Sequence, residues 1–595
     1  MSGTETGPTT GSMPAVLRAY ALLADGHRGA LIGPGGNVAW LCAPGWSDPA
    51  VFSALLGGAG RFLVAPAAGR FVWGGHYEPG SLVWRSRWVT EDGIIESRDA
   101  LVFPGEADRL VLLRQVRALE RPARVRVVLD PRADFGREPV QDVARDGERW
   151  LARTGGLHLR FRGGAGLRRD RQGFLAGELT VPAGGRHDLV LELATSPHDQ
   201  QPGESSGELW RTTEHHWAGV VPSLAGPARR DATLAYAVLR GMTRPGGGMV
   251  AAATTALPER AMAGRNYDYR YAWLRDQSFA GQAAALVGRY DLLDDAVTFL
   301  SDRVLADGDR LAPAYTVDGN PVPREQPQCD LPGYPGSEVR TGNWVGSQFQ
   351  LDCFGEVLMV LAAAQRHDRL DSDGQQAMRV AVGAIERRWS QPDAGIWELP
   401  ARHWTHSKLT CVAGLRAAAG SAPPRLAATW SALADRILAE TAAKGLAADG
   451  HWRRAYDDDR VDAALLLPGI RGALPPQDPR VERTRRAVLR QLTQDGYLYR
   501  FRPDRRPLGD AEGAFLLCGF AAALACWQAG DTVAANRWFE RNRAACGPPG
   551  LYTEEYDVQQ RQLRGNLPQA FVHALMLETA ATLGQIEPCY QDSGE

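Results

Sequence analysis

Residues 514–527 read "AFLLCGFAAALACW". A surface helix carries an apolar stripe and a polar face, but this stretch is apolar nearly all round, the pattern of a helix buried on both sides. Such a helix needs other helices around it. From about 230 to 586 the segments are long, Ala/Leu-rich and helically spaced; Leu351, Phe354, Leu358 and Leu361, for instance, fall at i, i+3, i+7 and i+10 on one stripe. Roughly ten to twelve such stretches are joined by irregular loops rich in Gly, Pro and aromatics. An (α/α) barrel is the natural closed form.

Upstream of "TRPGGG" (243–248) the texture differs. "LHLRFRG" (157–163) alternates strictly, and "LVWRSRWVT" (82–90) puts Trp84 and Trp88 on one face. "RVRVVLD" (124–130) and "DLVLELATS" (188–196) continue the period-two pattern, with Gly, Pro and Asp turns between. An antiparallel β-sandwich is expected over roughly 15–225. The whole chain, 595 residues, exceeds what one hydrophobic core usually holds.

Hydrophobic content of 44% and charged content of 23% are those of a globular chain, and a net charge of −2 gives no electrostatic case for nucleic acid or an anionic membrane surface. Of the 67 basic residues only Lys408 and Lys444 are lysine, which reads as a GC-rich coding bias. The eight cysteines show no CxxC pair and no zinc-ligand spacing, so isolated buried thiols in a reducing compartment are expected. The N-terminal "MSGTETGPTTGSMPAV" lacks the basic-then-apolar form of a secretion signal, and no apolar run reaches about 18 residues. The expectation is a cytoplasmic protein with no cofactor and no metal. Assembly into a homo-oligomer is left open.

Three loop regions carry chemistry. "RNYDYRYAWLRDQ" (265–277) packs four aromatics, three Arg and two Asp into thirteen residues; aromatic faces stack on sugar rings while Arg and Asp take hydroxyls. "GIWELPARHWTHSK" (395–408) places Glu398 between a tryptophan and a leucine, a setting that suits a raised pKa and hence a general acid. "LYTEEYD" (551–557), running through "LRGNLPQAF" (563–571), offers a second carboxylate in Glu554 or Glu555. Each acid alone is more often a solvated surface group. Two carboxylates in an aromatic, hydroxyl-binding pocket describe a glycosidase. His403 and His406 are three apart without a third ligand at helical spacing, and the Asp457–Asp459 run reads as a solvated acidic face.

Taken in order, five segments resemble glycoside hydrolase family 15, the glucoamylase and bacterial trehalase family, over nearly the whole chain. "YALLADGHRGALIGPGGNVAWLCAPGWSDPAVFSALL" (20–56) is similar to the family's bacterial sandwich opening, and "RNYDYRYAWLRDQSF" (265–279) to its RNWDYRY-x-WxRD pattern. "LPGYPGSEVRTGNWVGSQFQLDCFGEVL" (331–358), "GIWE" with "SKLTC" (407–411), and "LYTEEYD…GNLPQAF" supply the rest. The resemblance implies an inverting, exo-acting hydrolase that releases glucose from a small α-glucoside. It implies Glu398 as general acid and Glu554 as general base. Tyr269 matches a tyrosine near the water, and Arg275 with Asp276 the pair gripping the terminal glucose. Trp273, Trp397, Arg340 and Glu555 match lining or supporting positions. The fold implied is a disordered tail (1–14), an N-terminal β-supersandwich (15–225), a linker (226–250), an (α/α)6-barrel catalytic domain (251–586) and a C-terminal tail (587–595).

The departures fall around the aglycone side. "LPARHWT" is shorter than the family's stretch, Pro321, Pro323, Pro327 and Cys329 replace an acidic run, Ala511 stands where relatives tend to have Glu, and Leu567 replaces Phe. Trehalose, malto- and isomalto-linked glucosides all remain open as substrates. Two rivals share the architecture: a disaccharide phosphorylase, in which phosphate replaces the activated water, and a non-catalytic carbohydrate-binding protein.

Overall fold

Trp84 and Trp88 lie on one face of the strand Trp84–Thr90 and are both fully buried, as the alternation requires. The computed structural model describes residues 14–170, 175–197, 203–260, 262, 264–328, 330–503, 505–510 and 512–589. Cys329, Ala511 and the ends of the two expected tails (1–13 and 590–595) lie outside the described residues. Two eight-stranded antiparallel sheets form the N-terminal part. One runs in the spatial order 21–24, 29–32, 37–42, 61–66, 123–130, 175–181, 168–169, with 50–52 beside 37–42; the other runs 141–146, 149–154, 157–162, 186–194, 109–118, 93–101, 84–90, 72–77. Phe62, Val64, Val125, Val127, Leu159, Phe161, Leu189 and Leu191 fill the space between them.

The helices are α1 (Ser206–Val220), α2 (Arg229–Met242), α3 (Leu274–Leu286), α4 (Asp291–Asp307), α5 (Asp352–Arg366), α6 (Ser372–Arg388), α7 (Thr405–Ala419), α8 (Pro424–Gly445), α9 (Leu467–Ile470), α10 (Pro479–Leu492), α11 (Leu516–Gln528), α12 (Thr532–Arg543) and α13 (Ala570–Thr582). Six of them close a ring: α3 packs on α5, α5 on α7, α7 on α9, α9 on α11, α11 on α13, and α13 back on α3. The outer helices α4, α6, α8 and α12 back α3, α5, α7 and α11, while α10 packs on the 3-10 turn Ala463–Leu466 that leads into α9. The stretch expected as a linker, 226–250, carries α2, which packs on α13 and supplies the sixth outer helix.

Inner position explains the apolar run at 514–527. In α11 every residue from Leu516 to Cys526 is buried, and in α5 every residue from Asp352 to Ala364, so the stripe seen at Leu351–Leu361 is part of a helix covered on all sides. The α5–α7 contact is close because both helices carry glycine there. A Cβ on Gly355 would lie 2.4 Å from the carbonyl oxygen of Thr410, and one on Gly414 2.5 Å from that of Gly355.

The sandwich also steadies the barrel mouth. The indole Nε1 of Trp40 donates to the carbonyl of Ala253 (2.9 Å), and Arg270, in a buried bidentate pair with Asp268, donates to the carbonyl of Asp48 (2.9 Å). The aromatic loop 265–273 is thereby clamped between the two parts of the chain. Five thiols are buried as expected, Cys42, Cys353, Cys411, Cys518 and Cys526; Cys546 is half-buried, and Cys589, near the C-terminal end, is exposed, contrary to the expectation for it. Among the described residues no helix is long and apolar enough to cross a membrane.

Candidate active site

The loop between α6 and α7 holds Glu398 at φ +55°, in the left-handed region that a residue with a Cβ adopts only at some cost. Several bonds hold the loop there. Lys408 Nζ, buried on α7, donates to the carbonyls of Trp389 and Gln391 at 2.6 Å each. Asp393 Oδ2 accepts from the backbone N–H of Leu351 (3.1 Å) and of Gly395 (3.2 Å). Arg275 donates to the carbonyl of Ile396 (2.8 Å), and Trp397 Nε1 to Asp462 (2.8 Å).

So presented, Glu398 meets the first turn of α3. Trp273 Nε1 donates to its Oε1 at 2.7 Å, and Arg275 Nη1 lies 3.9 Å from the same oxygen. Burial pushes the carboxyl above the ordinary range, opposed by Arg275 and Trp273. Arg275 is also paired with Asp276 (3.2 Å), whose Oδ1 is buried without a partner among the described residues. Burial raises Asp276 too, with Arg275 as the main opposing influence.

Glu554 and Glu555 part company because successive residues of an extended chain face opposite sides. The short strand Glu555–Asp557 pairs with Ala514–Phe515 and with Gln562–Arg564. Glu555 is fully buried behind the pocket, accepting from the N–H of Gly513 (2.8 Å) and from Arg500 (3.1 Å). Glu554 turns the other way into the pocket, and its Oε2 has no partner among the described residues. Burial, then the neighbouring Glu259, pushes its carboxyl well above the ordinary range.

One pocket is lined by both Glu398 and Glu554, together with Tyr269, Arg275 and Trp397. Tyr269 stands edge-on to Trp273, ring centroids 5.4 Å apart. Trp273 and Asp276 support the lining from behind, through Glu398 and Arg275. Arg340 is not brought there: Glu325 (2.7 Å) and Glu338 (3.3 Å), acids close in its own segment, hold its guanidinium. His403 stacks on Tyr456, and His406 is buried beside Thr410, so the two histidines serve different neighbours. In the acidic run, Asp457, Asp458 and Asp459 face Arg402, Arg460 and Arg453.

Among the lining residues that sequence reasoning missed are Arg500, Glu259 and Trp344. Arg500 shares one guanidinium nitrogen among Glu512 (2.9 Å), Glu555 (3.1 Å) and Glu259 (3.5 Å). Glu259 is a third buried carboxylate, and Trp344, 44% exposed, offers an aromatic face at the pocket. The lining balances three carboxylates (Glu259, Glu398, Glu554) against three arginines (Arg265, Arg275, Arg500) among aromatic walls. Such a lining offers charged hydrogen-bonding groups between aromatic faces.

Comparison with known proteins bears on this geometry. The family model for glycosyl hydrolases family 15 matches residues 232–581, and that for a trehalase-like N-terminal domain matches 9–217. The chain is 30% identical to a trehalase of Mycobacterium tuberculosis, over 97% of this chain and 90% of the relative. It is also 30% identical to a trehalase of Mycolicibacterium smegmatis, over 99% and 94%. An isomaltose glucohydrolase of Kribbella flavida is 31% identical over 51% of this chain and 76% of its own length. In three dimensions a bacterial glucoamylase solved in complex with acarbose superposes with a TM-score of 0.72 over 98% of this chain and 96% of its own, at 14% identity, a likeness of fold.

Proposed function

We propose, from the premise that this chain belongs to the glycosyl hydrolases of family 15, that it hydrolyses trehalose with inversion, Glu398 acting as general acid and Glu554 as general base. The observation that carries this is the meeting of Glu398 and Glu554 in one pocket, although 554 − 398 = 156 positions separate them in the chain. Full-length similarity to two trehalases supports the substrate. The arginines, carboxylates and aromatic walls of the lining support a sugar.

In this mechanism Arg275, braced by Asp276, holds hydroxyls of the glucose to be released. Glu398, whose carboxyl burial raises, gives its proton to the glycosidic oxygen as the C1–O bond breaks. Glu554 takes a proton from a water that attacks C1 from the opposite face, giving the β-anomer. Tyr269 lies beside that water. The same reading carries a small soluble sugar as partner and a cytoplasmic location.

Proton NMR of trehalose, maltose and isomaltose reactions, without and with phosphate, tests it. Inverting hydrolysis of trehalose releases one α- and one β-glucose initially, so equal signals from the two anomers are expected before mutarotation. Two α-glucose molecules would overturn inversion, and preferential turnover of isomaltose or maltose would overturn the substrate. Glucose 1-phosphate formed only with phosphate would make the protein a phosphorylase.

A further inference from the structure

Two carboxylates suffice for the proposed hydrolysis, yet the pocket holds a third. Glu259 is 4% exposed and lines the same cavity. Its oxygens are held loosely: Oε1 lies 3.5 Å from the hydroxyl of Tyr269, and Oε2 lies 3.5 Å from Arg500, which is closer to Glu512 and Glu555. An ionised carboxylate has about four acceptor sites, so Glu259 retains capacity for a donor in the pocket.

Gly565 brings the stem of Glu259 close to that of Glu554. A Cβ at this position would lie 3.7 Å from Cβ of Glu554, 3.8 Å from Cγ of Glu259 and 3.9 Å from Oε2 of Glu554. Its N–H donates to the carbonyl of Pro258 (2.9 Å), tying this loop to the residue before Glu259. The side chains of Glu554 and Glu259 therefore both border the bare backbone of Gly565, and the charge of Glu259 acts on Glu554.

We infer that Glu259 is a positioning residue for the hydrolytic half of the site: held by Arg500 and joined by Tyr269, it fixes the attacking water against Glu554. This rests on the assignment of Glu554 as general base. Glu554 takes one proton of the water. Glu259 accepts a hydrogen bond from the other O–H, which stays on the new β-hydroxyl, and takes no proton itself.

Burial raises the Glu259 carboxyl; of the charged groups facing it, Arg500 and Arg265 favour its ionisation and Glu512 and Glu398 oppose it, beside Tyr269 and Glu554. Arg500 pairs with Glu259, whereas Glu554 makes no ion pair among the described residues. A negative charge on Glu259 raises the carboxyl of Glu554 beside it, so removing that charge should ease the loss of the Glu554 proton.

α-Glucosyl fluoride is the probe, because fluoride leaves without protonation; water attacks C1, the C–F bond breaks, and Glu554 takes the proton. The alkaline limb that Glu398 would impose is absent, and the acid limb of kcat reports the base alone. Glu259→Gln is expected to lower kcat roughly 10–100-fold, change KM little, and move the acid limb down by about one pH unit. Glu259→Asp, which keeps the charge but draws it back, should lower kcat and leave the limb in place. An unmoved limb in Glu259→Gln, a loss confined to KM, or wild-type kcat in Glu259→Asp would each overturn the inference. A wild-type protein inert towards the fluoride would instead overturn the proposed hydrolysis, and this inference with it.

Discussion

The indole of Trp273 donates to Oε1 of Glu398 at 2.7 Å, joining the residue before the first turn of α3 to an acid 398 − 273 = 125 positions later. The bond fixes one carboxyl oxygen and stabilises the charged form, pulling against the burial that raises the group. Trp273→Phe keeps the ring and removes the donor. It should raise the pKa of Glu398 and carry the alkaline limb of trehalose turnover to higher pH. A hydrogen bond to a charged group is worth about 1.5–3 kcal/mol, so kcat is expected to fall by roughly tenfold or more. A pH–rate profile of the variant checks both.

The two proposed catalytic acids differ in what a good leaving group can replace. Glu398→Gln and Glu554→Gln should each cost about 10²–10⁴-fold on trehalose with the fold intact. On α-glucosyl fluoride Glu398→Gln should recover most activity, while Glu554→Gln should not. Parallel assays, with circular dichroism to confirm folding, separate the roles. Recovery in Glu554→Gln instead would exchange them.

Deeper in the barrel, Glu356 on α5 is 1% exposed, with Gln282 at 3.5 Å; burial pushes its carboxyl up to about 7 against the pull of Arg471. A raised acid binds its proton more tightly folded than unfolded, so stability falls as pH rises from about 4.5 to about 7 and stays lower above that. The penalty at alkaline pH is about 3 kcal/mol. Glu356→Gln should therefore melt several degrees above wild type at pH 8 and close to it at pH 4.5. Thermal melts at the two pH values decide.

Lys408 is one of only two lysines in the chain, and it is buried with both its bonds on carbonyls of the loop that carries Glu398. Lys408→Met would leave those carbonyls without this donor, at about 1–3 kcal/mol each. The variant should melt lower and lose kcat more than KM, because the slackened loop misplaces the acid. Equal kcat with a lower melting temperature would limit Lys408 to stability.

Much of this was legible in local pattern. Alternation around Trp84 and Trp88 reports a strand, and the apolar run at 514–527 reports an inner helix, because burial on one side or on all sides leaves its mark on neighbouring residues. Motif resemblance located Glu398 and Glu554. Glu259 and Arg500 left no such mark: each is a single charge in a loop, and its meaning comes from partners on separate segments that only the fold brings together. Arg340 shows the reverse case, a motif arginine whose nearest acids, Glu325 and Glu338, claim it before the pocket does. The helix within 226–250 was legible in the spacing that begins near 230, but its place in the outer wall was not, because a connecting position in sequence does not reveal which wall the segment completes.

The left-handed backbone of Glu398 sets two kinds of selection against each other. A side chain there costs about 1–2 kcal/mol that glycine would not. A population of variants sorted only for survival on heating should therefore drift towards glycine at this position, gaining robustness as it discards the acid. Persistence of a glutamate at 398 would be a signature of use: a chain kept only for its shape would have no reason to hold it.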